Sequence, residues 1–250
     1  MKRYSTFAAR FALVPMISGP FVTGTASWLA RAHIVSGIAT VYLILILLLK
    51  AVKNRQIRVP AALALLLALT EAIPGMPRLH AAVSPLLFAA LAWAVISLPD
   101  GTAPIPAERA KRTRERTPAR SKWIYAVPAA VVLPILYGVS YRHQTSGFFP
   151  HVGAALLVAG FLVMFSMVLK ERHAADARLC FACNFTIAAV LIQLVFGIGA
   201  FVIRLLEIEN GLLLAIVRTL HFTGAAPVLA ASTELAIRYR RDTVVELAAS

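Results

Sequence analysis

The chain has 250 residues, 60% of them hydrophobic and only 14% charged, with a mean hydropathy of +0.78 and a formal net charge of +14. A soluble domain carries about 25% charged residues, so this composition excludes an ordinary soluble globule and predicts an all-α integral membrane protein. The cations sit in short loops between apolar runs, which is a topology signal and not a nucleic-acid face; the two cysteines, Cys180 and Cys183, are too few for a disulfide framework or an iron–sulfur cluster.

In chain order, eight apolar runs are predicted as transmembrane helices: 7–27, 30–49, 60–74, 80–98, 123–141, 150–169, 179–204 and 212–237. A span needs about 20 apolar residues, so the third run is short. The N-terminal string has the basic start of a signal peptide, but Pro15, Gly19 and Pro20 interrupt its apolar stretch. A retained, irregular first span is the better reading.

Basic residues precede the first run (Lys2, Arg3, Arg10) and follow the second (Lys50, Lys53, Arg55, Arg58). They recur after the fourth (Arg109 to Lys122), the sixth (Lys170, Arg172, Arg178) and the eighth (Arg238, Arg240, Arg241). With eight spans these segments share one side, which the positive-inside rule makes cytoplasmic, along with both termini. Arg31, Arg78, Arg142 and Arg204 fall toward the opposite side. Residues 99–122 are rich in Pro, Thr and charge and read as a cytoplasmic linker. The linker separates a four-helix bundle over 1–98 from a second over 123–241, with 242–250 as a cytoplasmic tail. The expected architecture is two pseudo-symmetric four-helix bundles.

His33, His80, His151 and His221 each lie near the start of an even-numbered run, at one membrane depth toward the outer face. An imidazole in a span is costly unless paired or ligated. Two pairs at equivalent positions point to axial ligands of haem iron, one pair per bundle. Four residues after each histidine, on the same helix face, stands a small residue: Gly37, Ser84, Ala155 and Ala225. A flat ring packed against the helix needs that room, although small residues are common in membrane helices for packing alone. Zinc or copper is less suited, because those metals take three or four close ligands of mixed type and none recurs here.

Arg31 and Arg78 each precede a candidate ligand by two residues, and Arg218 precedes His221 by three. They are candidate partners for haem propionates; the alternative is that they are snorkelling interface anchors. His143 and His173 read as solvated, and Cys180 and Cys183 as packing residues. Glu71 and Glu234 are intramembrane carboxylates, fit either for proton handling or for an interface ion pair.

On these residues the chain resembles the haem A synthase family, the haem O hydroxylases of cytochrome oxidase assembly. The resemblance rests on the histidines of spans two, four, six and eight. It is strengthened by Leu191-Ile192-Gln193-Leu194-Val195-Phe196-Gly197-Ile198 followed by His221, which looks like that family's LQxxLGI…H passage. Gly19-Pro20-Phe21-Val22-Thr23-Gly24-Thr25 looks like its first-span turn. The resemblance implies a substrate haem (haem O, leaving as haem A) near His33 and His80, and a haem b cofactor between His151 and His221. It also implies oxidation of the haem O methyl to a formyl group, in the cytoplasmic membrane of a prokaryote. The family's glutamate three residues before the first histidine is Ala30 here, and the arginine after it is Ile34. The competing reading is a di-haem b-type cytochrome, an electron-transfer subunit exchanging electrons with quinol or a partner complex. Expected partners are therefore haem, membrane lipid, quinol and a respiratory or oxidase-assembly protein, with no nucleic acid.

Overall fold

The computed structural model describes residues 2–22, 27–52, 54–98, 124–208 and 211–249, and the side chains of these except at 19–22, 27–29, 55 and 241–249. In lipid every backbone N–H and C=O must be satisfied within the segment, and a helix does this without a neighbour. All the regular elements among the described residues are accordingly helices, essentially all of them α-helix. They are α1 (Lys2–Phe11), α2 (Leu13–Val22), α3 (Ser27–Ala51), α4 (Arg55–Glu71), α5 (Pro77–Ile96), α6 (Ala126–Arg142), α7 (Phe148–Arg172), α8 (Ala177–Leu205) and α9 (Gly211–Ala249). Five of them, α3, α5, α7, α8 and α9, hold segments long and apolar enough to cross a membrane, and α6 is a shorter apolar helix. The chain is thus read as an integral membrane protein. Phe149, Leu157 and Met164 stand exposed on α7, a placement that suits contact with lipid and would be unfavourable in water.

The first predicted run is two helices, broken at Ala12. Pro15 has no N–H, so the Phe11 carbonyl loses its usual partner four residues on, while Ala12 N still donates to Ala8 O at 3.1 Å. Helix α1 is amphipathic: Ser5, Ala8 and Ala9 are buried. Its Tyr4 hydroxyl donates to Leu43 O at 2.9 Å beneath the Lys50 ammonium, 4.3 Å from the ring centre. The third run starts earlier than predicted, at Arg55, because Asn54 caps it, Oδ1 accepting from Gln56 N at 3.0 Å. Pro60 sits inside that helix. The last helix continues to Ala249, through the segment expected as a tail. The linker at 99–122 lies outside the described residues, as do Thr23, Gly24 and Thr25 of the first-span turn motif.

In the N-terminal part, α3 packs on α1, α2 and α4, and α5 packs on α4 and α1. In the C-terminal part, α6–α7, α7–α8, α8–α9 and α9–α6 are the neighbouring pairs. The parts meet mainly where α5 lies against α9. Helices α6 and α8 end alike, with a non-glycine residue in the left-handed region just past the cap: Gln144 (φ 57°) and Glu207 (φ 48°). The closing bonds, Thr145 N to Ser140 O at 2.8 Å and Ile208 N to Ile203 O at 3.2 Å, form Schellman turns. The left-handed residue follows Arg142 by two positions and Arg204 by three, so both arginines lie on the last turns of their helices.

Leu235 is fully buried against Leu179 and Cys183, whereas Leu157 is 77% exposed. Leu235→Ala is expected to cost about 2–4 kcal/mol, by lost contacts and the cavity left behind. Leu157→Ala is expected to change stability little. Thermal unfolding of both variants in the same detergent checks the contrast.

Candidate functional site

The fold brings the four histidines together as two pairs. His33 on α3 faces His80 on α5, with ring centres 5.7 Å apart and planes at 73°. His151 on α7 faces His221 on α9, at 6.0 Å and 81°. Each pair spans its group of helices diagonally. An imidazole nitrogen lies about 2 Å from a metal it ligates and the ring centre roughly 1.2 Å beyond, so two imidazoles on opposite sides of one iron have centres about 6.3 Å apart. The C-terminal pair, at 6.0 Å, lies close to that distance, and the N-terminal pair, at 5.7 Å, is somewhat tighter.

The Nδ1 atom of each ring bonds to the helix that comes before it in the chain. His80 Nδ1 lies 3.3 Å from Glu71 O, His151 Nδ1 3.0 Å from Pro134 O, and His221 Nδ1 3.2 Å from Gln193 O. A carbonyl only accepts, so these Nδ1 atoms carry the proton and Nε2 keeps a lone pair for a metal. His33 Nδ1 lies 3.1 Å from Ser18 Oγ, whose own proton goes to Pro15 O at 3.2 Å, so the hydroxyl oxygen accepts from His33. All four rings therefore keep Nε2 as the nitrogen with a free lone pair.

Two glycines complete the C-terminal pair. A Cβ at Gly138 would lie 2.9 Å from His151 Cε1, and one at Gly197 would lie 2.8 Å from His221 Cε1. Sequence reasoning missed both roles. The signal was present: each glycine follows by four residues the carbonyl that its histidine bonds, Pro134 and Gln193, and Pro15…Gly19 and Glu71…Gly75 repeat the spacing. Gln193 also donates from Nε2 to His221 O at 2.8 Å, and its Oε1 packs on Gly224. The Gln193…Gly197…His221 string thus has a physical basis: one residue orients the ring by its carbonyl and the helix by its amide, and the other makes room.

A cavity of about 1080 Å³ lies beside His151 and His221, at the upper end of the size usual for ligand pockets, roughly 300–1,000 Å³. Its wall includes Ala155 and Ala225, two of the predicted small residues. Beside His33 and His80 the cavity is only about 20 Å³, with Glu71 and the predicted Ser84 in its wall. Gly37 lines neither. Helix α5 serves both sides: Ser84 lines the small cavity and Pro85 the large one.

Arg218 lines the large cavity with His221, as its spacing predicted. Arg31 and Arg78, the other predicted propionate partners, are exposed near the starts of α3 and α5 and line neither cavity. Arg142 and Arg204, which the topology reading set aside, line the large one. Glu71 Oε1 is buried with no hydrogen-bond partner, whereas Glu234 pairs with Arg238 at 2.7 Å, one helical turn away. His143 caps α6; partial burial and then the nearby Arg142 and Arg78 guanidinium groups push its imidazole below the usual histidine range. His173 is half-buried, not simply solvated, its ring edge-on to Tyr239 at 5.7 Å. Cys183 is buried, and the Cys180 thiol points to His173 O at 3.5 Å, as packing residues would.

Among the described residues, no group of three or more His, Cys, Asp or Glu is placed to hold a bare metal ion. What the site offers is two facing imidazoles per pair, which suits a metal that brings its own equatorial ligands. Comparison with protein-family models, curated proteins and solved structures gives no match to the chain.

Proposed function

We propose that the chain is a haem-binding membrane oxidoreductase of haem A synthase type. It crosses the membrane eight times as two four-helix bundles, with both termini on the cytoplasmic side of a prokaryotic inner membrane. His151 and His221 hold a resident haem b, and His33 and His80 receive the substrate haem. The observation that carries this reading is the recurrence of one construction in both halves: two histidines facing across the helices, about one iron's width apart, each with Nδ1 bonded to the preceding helix. Haem, when bound, supplies one-electron redox chemistry at its iron.

The chain's own residues divide the work. Pro134, Gln193, Gly138 and Gly197 set the ring orientations in the C-terminal half. Glu71 supplies the carboxylate that the resemblance places before His33 and that Ala30 lacks. It lines the cavity shared by His33 and His80, with an oxygen free to meet a ligand. Glu71→Gln is expected to leave haem in the C-terminal half unchanged while lowering the yield of haem A from haem O at least about ten-fold. Haem extraction and chromatography after co-expression with a haem O source check this.

The test of the reading is a pyridine haemochrome spectrum with haem-to-protein stoichiometry on the purified protein. About one haem b with variable haem O or A is the expected result. Two tightly held b haems would instead favour a di-haem cytochrome exchanging electrons with quinol or a partner complex, a reading to which the matched construction of the two pairs also lends support. No haem from a haem-replete host would remove both.

A further inference from the structure

The large cavity carries a charge pattern that its histidines do not explain. Arg142, Arg204 and Arg218 reach its rim from three helices, and no Asp or Glu is among the described residues of its wall. Two of these guanidinium groups are held in place without being neutralised. Arg204 Nη1 donates to Tyr141 Oη at 2.6 Å and lies 5.7 Å from that ring's centre, and Arg142 lies 5.5 Å from the centre of Phe222. Like charges converging on one opening repel, and an anion between them reverses the sign through charge-assisted hydrogen bonds. A second observation points the same way. Ser146 Oγ, in the connection between α6 and α7, lies in the same wall, buried and without a partner, which is unfavourable until a ligand satisfies it. Away from the rim the wall is apolar, with Val131, Leu162, Val190 and Val228.

Resting on the haem reading above, we propose that this rim is a carboxylate clamp: it selects tetrapyrroles with two free propionates and seats them with the carboxylates toward the ends of α6 and α8. No arginine is among the described residues of the small cavity's wall at His33 and His80. The clamp therefore makes the C-terminal half the retentive one and leaves the N-terminal half the site of exchange.

The test is a Soret titration of haem-depleted full-length protein, and of its His33→Ala/His80→Ala form, with protohaem IX and with protohaem IX dimethyl ester. The free acid is expected to bind at least about ten-fold more tightly than the ester at the C-terminal pair. Combined Arg142→Gln, Arg204→Gln and Arg218→Gln should remove most of that preference while leaving ester binding as it was. Equal affinity for acid and ester with the rim intact overturns the clamp and leaves the haem reading standing, as does a preference that survives the triple change. Because the ester comparison needs no altered rim, a poorly folding arginine variant does not block it. Binding of neither compound by a monodisperse preparation overturns the haem reading and the clamp with it.

Discussion

His151→Ala and His221→Ala are each expected to empty the C-terminal haem position while leaving the N-terminal one able to bind; His33→Ala and His80→Ala should do the reverse. The facing pairs make this a sharp expectation, because each iron would lose one of only two protein ligands. Loss of a partner that merely supports a ligand costs about 10–100-fold in metal affinity, so loss of the ligand itself should exceed that. Haem stoichiometry, together with the low-spin signature of bis-histidine iron, reads the outcome variant by variant. Equal haem retention in all four variants would sink the pairing.

Gly138→Ala and Gly197→Ala are expected to weaken haem binding at the C-terminal pair by at least about ten-fold, through one added carbon that touches no ligand. The new methyl group would lie under 3 Å from Cε1 of His151 or His221, so the ring must leave its Nδ1 bond or the helices must part. The effect on the helix itself has the opposite sign, since alanine is favoured over glycine in a helix interior by about 1 kcal/mol. Helix stability rising while haem affinity falls separates this mechanism from general damage. Gly37→Ala is the control: nothing lies within 4 Å of the added carbon, so haem binding should be unaffected. A wild-type haem content in Gly197→Ala would falsify the close-packing account.

The pairing of histidines was legible in the sequence because helical periodicity and membrane depth together fix which residues can face each other. Four polar rings at one depth in alternate runs leave few other arrangements. Arg218 was legible for the same reason, lying one turn from His221 on the same face. The roles of Gly138, Gly197 and Pro134 were not, because they depend on how closely neighbouring helices approach, which no single helix's pattern contains. Arg142 and Arg204 stand out in the sequence only as exceptions to a charge rule; that both line the large cavity depends on where the helix ends meet, which a charge count does not contain. Helix ends were the weakest part of the reading. Pro15 breaks the first run from within, whereas Pro60 is carried inside a helix that Asn54 starts one turn earlier.

Ser84 and Pro85 are consecutive residues of α5, yet they line different cavities. The helix is in that sense a septum one helix thick between two chambers. Proline at 85 deprives the Ala81 carbonyl of its usual donor, which makes this turn the most pliant place in the partition. Whatever fills one chamber leans on a wall that the other shares, so the volume available to the smaller chamber depends on the occupant of the larger.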